Sequence, residues 1–259
     1  MKLSIFQIDA FAENIFEGNP AAVVSLEEWL PDALLQNIAQ ENNLSETAYF
    51  VKHGDGYHIR WFTPTTEVDL CGHATLACAH VIFEILGFQA SEIVFHSKSG
   101  KLKVRKRNGL IELDFPASVI TKCDIPNEIT KAFGKKPIEV WQADDYVAVY
   151  ENESDILSLS PDFNILSTLD CRGIIATAQG DNVDFVSRFF APRYGIDEDP
   201  VTGSAHCALV PYWAKELGKE KLSAVQLSKR GGKLQCELRG NRILIAGKAI
   251  TYLEGSIEI

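Results

Sequence analysis

Glu46 stands in the run Leu44-Ser45-Glu46-Thr47-Ala48-Tyr49-Phe50-Val51, which reads as a strand with Glu46, Ala48 and Phe50 on one face. Desolvation of a carboxyl among apolar neighbours is what lets it give and take a proton near neutrality, as a general acid/base. A strand-end glutamate reaching solvent fits the same residues. Two further strings, Cys71-Gly72-His73-Ala74-Thr75 and Thr202-Gly203-Ser204-Ala205-His206, open apolar helices with a glycine. Glycine permits a tight turn there, and the first-turn N–H groups attract a carboxylate or phosphate. Two facing mouths would enclose a small anionic substrate. Glycine for close packing, with His73 or Ser204 as a cap, explains each string taken alone.

Asp197, Glu198 and Asp199 crowd the second mouth. A solvated loop that complements the helix N-terminus is the ordinary reading of such carboxylates. Asp199 differs because Pro200 holds it, and a fixed carboxylate can orient an imidazole such as His73 if the two mouths face each other. Cys71 precedes a helix mouth, where a thiolate is favoured and could serve as an additional base. Its counterpart in the second string is Val201 or Thr202, so a small packing residue is the plainer reading. Asn19, in Gly18-Asn19-Pro20, reads as a polar turn residue.

The elements that would carry these groups form an internal repeat. Arg60-Trp61-Phe62-Thr63-Pro64, acidic residues and Gly72 lead into an apolar helix over 74–86, stopped by Gly87; Arg188-Phe189-Phe190-Ala191-Pro192, acidic residues and Gly203 lead into another over 204–217, stopped by Gly218. Neither helix has a polar stripe, so each is expected to be buried on all sides. Pro211 should bend the second. A helix over 31–41 is amphipathic and lies on a surface. Strands are expected at 92–96, 102–105 and 110–115, the last two joined by Asn108-Gly109, and at 234–238 and 242–246 around Gly240-Asn241. These elements imply two like-folded halves of an α/β (α+β) protein, spanning 1–118 and 119–249, with a closing strand at about 250–259 that can return to the first half.

A chain of 259 residues with 46% hydrophobic content can bury a sizeable core. The net charge of −10 opposes binding to a phosphate backbone, and the basic run 101–107 falls on a hairpin without stacking aromatics. An early carboxylate at Asp9 and the lack of ~18 uninterrupted apolar residues disfavour a signal peptide and a membrane span. Cys71, Cys78, Cys123, Cys171, Cys207 and Cys236 lack framework spacing and read as reduced thiols in the cytoplasm. No CxxC or paired-histidine spacing suggests a metal, and no GxGxxG or P-loop string suggests a nucleotide cofactor.

The strings DAFAENIFEGNPAAVV, NLSETAYF, RWFTPTTEVDLCGHATLA and GIDEDPVTGSAHCALVPYW, in order along nearly the whole chain, resemble the phenazine-biosynthesis-type (PhzF-like) proteins. The resemblance implies a diaminopimelate-epimerase-like fold: two pseudo-symmetric halves, each a curled, mostly antiparallel sheet around a central buried helix. It further implies an active site between the halves, a homodimer, and isomerisation of a small carboxylate-bearing substrate by proton transfer, without metal or organic cofactor. Under it Glu46 is the acid/base, with His73 and Asp199 as further catalytic groups. Asn19, Gly72, Gly203 and Ser204 contact substrate. Cys71 departs from the phenazine enzyme and is shared with the wider family, which leaves the substrate open. A racemase using Cys71, and a dimeric binding protein that keeps the pocket without turnover, are the competing readings.

Overall fold

The structure is a computed structural model that describes residues 1–259. These form two compact units, Met1–Asp114 with Ala246–Ile259, and Phe115–Ile245. The first contains β1 (Lys2–Ala10), β2 (Asn19–Leu26), α1 (Asp32–Asn42), β3 (Glu46–His53), β4 (Gly56–Phe62), β5 (Glu67–Val68), α2 (Gly72–His80), β6 (Glu92–Ser97), β7 (Gly100–Arg107) and β8 (Leu110–Pro116). The second contains β9 (Thr121–Cys123), α3 (Asn127–Phe133), β10 (Glu139–Gln142), β11 (Tyr146–Val149), α4 (Glu153–Ser158), α5 (Phe163–Leu166), β12 (Ile174–Gln179), β13 (Phe185–Ala191), β14 (Ile196–Asp199), α6 (His206–Leu217), β15 (Lys221–Gln226), β16 (Gly232–Arg239) and β17 (Arg242–Gly247). The closing strand β18 (Ala249–Glu258) belongs to the first unit and runs antiparallel to β1.

Strand for strand the two units pair in the same way. In the first, β1–β2 is antiparallel, β2–β3 parallel, β3–β4 and β4–β5 antiparallel, β4–β6 parallel and β6–β7 antiparallel. In the second, β10–β11, β11–β12, β12–β13, β13–β14, β13–β15 and β15–β16 repeat that series without exception. The repeat extends to side chains. Arg60 of β4 grips Glu67 of β5 through Nε and Nη2 at 2.8 and 2.9 Å, and Arg188 of β13 grips Glu198 of β14 through the same atoms at 2.7 and 2.9 Å. Such a two-pronged bond ties a short strand to its neighbour with fixed geometry. Glu198 is thus an ion-pair partner, and the solvated-loop reading of its segment is corrected.

Of the two apolar helices α2 is buried on all sides, whereas α6 buries most of its residues but leaves Cys207 and Pro211 half-buried and Lys215 and Glu216 exposed, and both have altered ends. In α2 every residue from His73 to Ala79 is buried, and the helix packs on β1, β2, β3 and β18. Beyond His80 one π-helical turn, Val81–Ile85, replaces the expected regular helix; Leu86 N–H donates to the Val81 carbonyl at 2.9 Å. α6 starts at His206, two residues later than expected, because Gly203 to Ala205 form turns first. It runs on through Pro211. Proline cannot donate to the carbonyl four residues back, and that carbonyl, of Cys207, accepts from Ser118 N–H at 2.9 Å instead.

The other sheet faces are covered by the amphipathic helices. Leu35, Ile38 and Ala39 of α1 pack with Val24, Tyr49 and Phe62, while Ile129, Phe133, Ile156 and Leu166 of α3 to α5 pack with Val140, Tyr150, Ala176 and Phe190. Each large apolar side chain so buried contributes roughly 1.5–3 kcal/mol. Helix-covered sheet on both faces leaves strand ends and helix mouths as the places where polar side chains can collect. No helix is long and apolar enough to cross a membrane.

Candidate active site

Glu46 is the first residue of β3, and His73 is the second of α2. Glu46 Oε2 and His73 Nε2 lie 3.0 Å apart, with side-chain exposures of 13% and 6%. Neither atom has another partner, and their contact lacks the alignment of a hydrogen bond. On its other nitrogen, Nδ1, His73 meets Asn19 Nδ2 at 3.3 Å and Cys71 Sγ at 3.5 Å. Ser45 Oγ donates to Asn19 Oδ1 at 3.4 Å, which turns the amide nitrogen toward the ring. In a neutral His73, Nδ1 faces the Asn19 amide and the Cys71 thiol and accepts. The proton of a neutral His73 then sits on Nε2, on the side of Glu46.

Burial works against an imidazolium at His73, but its pairing with the neighbouring Cys71 and Glu46 more than offsets it, holding the ring well above the ordinary histidine value. Cys71 is itself pushed up by burial and then by Glu46. At neutral pH Cys71 is accordingly a thiol. The helix-mouth position does not make a thiolate here, because desolvation outweighs the dipole. Cys71 occupies the extended N-cap position without capping; Thr75 Oγ1 instead bonds the Cys71 carbonyl.

Asn19 follows Gly18, whose φ of +66° and closeness to Ala10 leave no room for a side chain. The turn buries Asn19 completely at the start of β2. Asp9, also buried, accepts from Phe16 N–H at 3.0 Å and secures the same loop. The donor atoms of Glu46, Cys71 and His73 all lie within 4.8 Å of one another, the spacing of a metal site. The imidazole, however, presents Nε2 to the carboxylate and Nδ1 to the sulfur. One ion cannot take both ring nitrogens, so the arrangement suits a proton path better than a cage. Two hollows of the same unit, of ≈ 430 and ≈ 390 Å³, are lined by neither Glu46 nor His73.

In the second unit Asp199 ends β14 and is buried. Thr202 Oγ1 donates to its carboxylate, and Gln226 clamps the turn: Nε2 donates to the Asp199 carbonyl at 2.7 Å, and Oε1 accepts from Thr202 N–H at 2.8 Å. Ser204 Oγ accepts from Arg172 Nη1 at 2.9 Å, and Arg172 is held by the buried carboxylate of Asp145, with Nε to Oδ1 at 2.8 Å. Sequence reasoning missed both Arg172 and Gln226. Their partners are 24 to 32 positions away, beyond any local pattern.

His206 Nδ1 donates to the Thr202 carbonyl at 2.9 Å, and Nε2 is buried without a partner. Burial lowers the His206 pKa to about 4, against the small upward pull of the Thr202 bond. Below its unfolded value of 6.5 the unfolded chain binds the proton first, so stability is lost as pH falls from about 6.5 to about 4, by about 3 kcal/mol in all. Urea midpoints measured across that window should fall in the native protein and flatten in His206→Asn. An equal fall in the variant would assign the acid sensitivity to other groups.

The two units differ where chemistry could occur. Thr47 pairs with Phe62 and Ile174 with Phe190, so Glu46 corresponds to Gly173. The β5 and β14 registers, Trp61 with Val68 and Phe189 with Asp199, set Val68 against Asp199, and onward along the chain Cys71 against Thr202 and His73 against Ser204. A Cβ at Gly173 would lie 2.3 Å from Phe189 Cζ, so the second unit cannot carry a side chain there as packed.

Over residues 8–255 the chain matches the family described as phenazine biosynthesis-like protein (PhzC-PhzF). It is 49% identical, over the full length of both chains, to an uncharacterized isomerase of Pseudomonas aeruginosa. The crystal structure of a PhzF-family phenazine biosynthesis protein from Enterococcus faecalis superposes with a TM-score of 0.98 at 48% identity, again over all of both chains. A hydroxyproline epimerase from Agrobacterium vitis shares the fold, with a TM-score of 0.61 at 10% identity over 99% of this chain and 92% of that one.

Proposed function

Because this chain belongs to the family of phenazine biosynthesis-like proteins, whose members include named isomerases, we propose that it isomerises a small carboxylate-bearing substrate by moving one proton. Glu46 takes the proton from one carbon, the electron pair delocalises through the adjoining unsaturated system, and the Glu46 carboxyl returns the proton to a second carbon. Proton out and proton in balance, so the step needs no electron acceptor. His73 steadies Glu46 as its charge changes, and Asn19 fixes the His73 tautomer.

The observation that carries this reading is the asymmetry of an otherwise faithful repeat, Glu46 against Gly173. Inversion at a stereocentre needs a base on each face of the carbon, and in a duplicated fold the natural source is one base from each copy. Here the counterpart of Cys71 is Thr202, which has no comparable basicity, and Cys71 is held as a thiol. Asp199, Gly203 and Ser204 as substrate contacts, the backbone of Gly72 as a carboxylate grip, and a homodimer as the assembly remain proposals from the family resemblance.

The test is a panel of small unsaturated carboxylates, first ranked by thermal shift and then incubated with the enzyme in D₂O. A ligand at a hundred times its Kd should add about 2.7 kcal/mol of stability. The proposal expects a double bond to migrate and deuterium to enter at one carbon. Inversion at a stereocentre without bond migration would establish the racemase reading instead, and ligand stabilisation with no exchange on any stabilising carboxylate would favour the binding-protein reading.

A further inference from the structure

His73 and Ser204 correspond in the two units, and each is braced by a chain of side chains. In the first unit Ser45 Oγ donates to Asn19 Oδ1 at 3.4 Å, and the Asn19 amide meets His73 Nδ1 at 3.3 Å. Ser45 precedes Glu46, so its counterpart in the second unit is Arg172, which precedes Gly173. Arg172 Nη1 donates to Ser204 Oγ at 2.9 Å. Both units thus fix the corresponding residue from the same point of the sheet, the first through an amide and the second through a guanidinium.

Asp145 holds that guanidinium. Its buried carboxylate accepts from Arg172 Nε at 2.8 Å and also from Nη2, a two-pronged bond that fixes the plane. The Phe189 ring lies 5.6 Å from the guanidinium carbon, and Phe189 Cζ is the atom that fills the space beside Gly173. The room that a side chain equivalent to Glu46 would need therefore supports a cation. A guanidinium has five N–H donors and no acceptor, so Ser204 Oγ can only accept in this bond. The hydroxyl proton is left to point at another acceptor, and Ser204 donates to no group of the protein. Ser204 is half-buried, within reach of a small ligand.

We propose that Arg172 is a positioning residue: it holds the Ser204 hydroxyl as a one-way donor to the carboxylate of the substrate. The inference rests on the isomerase reading, in which Ser204 contacts substrate. An accepting neighbour would let the hydroxyl spend its proton inside the protein and turn a lone pair on the carboxylate. Arg172 removes that orientation. A cationic donor also polarises the hydroxyl and strengthens the bond that it gives. Asp145 in turn keeps the guanidinium on Ser204 and off the ligand.

The experiment is NMR titration of the full chain with sorbate, benzoate and fumarate, each compared with its uncharged amide. The native protein should bind at least one of these carboxylates more tightly than its amide. Arg172→Ala should weaken that carboxylate about tenfold and Ser204→Ala roughly ten- to hundredfold, the range of a hydrogen bond to a charged group, with the amide less affected. The deciding measurement is Arg172→Ala in a Ser204→Ala background, where a further loss of no more than about twofold is expected. Arg172→Lys keeps a cation beside Asp145 and so guards against a folding defect; its loss should be smaller than that of Arg172→Ala. Carboxylate affinity unchanged in both Arg172 variants, an Arg172→Ala loss as large without the Ser204 hydroxyl as with it, or no carboxylate preference in the native protein would each overturn the role. Turnover is not read in this titration, so carboxylates that bind as expected but are never isomerised would sink the isomerase reading and leave Arg172 as the residue that orients Ser204.

Discussion

Glu46→Gln is expected to lower turnover by roughly 10²–10⁴, the usual contribution of a general acid/base, while binding of the substrate carboxylate is largely spared. Glutamine keeps the length and shape of the side chain at the head of β3 but cannot exchange a proton at its terminal atoms. The 3.0 Å contact between Oε2 and His73 Nε2 also loses its charge, so His73 loses one of the two groups that hold its pKa up. Steady-state kinetics beside ligand binding separates the two effects, because loss of an interaction made only in the transition state lowers kcat and kcat/KM together. Cys71→Ser is the companion variant. Its thiol meets the far nitrogen of His73, at 3.5 Å, and a loss smaller than tenfold is expected. Near-normal turnover in Glu46→Gln with collapse in Cys71→Ser would transfer the role to the thiol.

Gly18→Ala is expected to destabilise the protein by about 2–5 kcal/mol, the sum of a left-handed backbone cost and an overpacking cost. Gly18 has a φ of +66°, and a Cβ there would lie 2.2 Å from the Ala10 carbonyl oxygen. Gly195→Ala is the control: its φ is +79°, but nothing lies within 4 Å of the added carbon, so only about 1–2 kcal/mol is expected. The difference between the two urea-derived stabilities isolates the steric part. Because Gly18 sets the entry of Asn19 into β2, and Asn19 holds His73 Nδ1, the folded fraction of Gly18→Ala should also show reduced turnover. Equal costs for the two alanines would refute the close-approach account.

The duplication was legible in the Phe-x-Pro strings because proline, glycine and an unbroken apolar helix each constrain the backbone locally. Period-2 and turn signals likewise placed β7, β8 and α1 to within a residue or two. What exceeded local pattern was the pairing. The parallel contacts β2–β3, β4–β6, β11–β12 and β13–β15 join strands across intervening elements, and no residue type announces them. The π-turn after His80 and the late start of α6 were hidden for a related reason: hydrophobic periodicity does not distinguish a widened turn from a regular one.

In the candidate site, the closeness of His73 and Glu46 follows from β3 and α2 sharing one packed unit. Sequence could name each residue without showing their contact. Asn19 read as a turn residue because its neighbours Gly18 and Pro20 are turn residues, yet its side chain is buried and hydrogen-bonded. Glu198 read as a loop carboxylate because three acids stood together. Its ion pair became visible only when β13 and β14 brought Arg188 beside it. The correspondence of Glu46 with Gly173 requires strand registers in both units, so the asymmetry supporting one-base chemistry was not accessible from the strings alone.

The most direct test of one-base proton transfer is a single-turnover reaction in H₂O with substrate deuterated at the carbon that loses its proton. If Glu46 carries the same hydrogen from the first carbon to the second, part of the deuterium should appear at the second carbon of the product, and the transfer should disappear in Glu46→Gln. Product whose new hydrogen comes wholly from solvent at the earliest measurable time, with turnover preserved in Glu46→Gln, would contradict it.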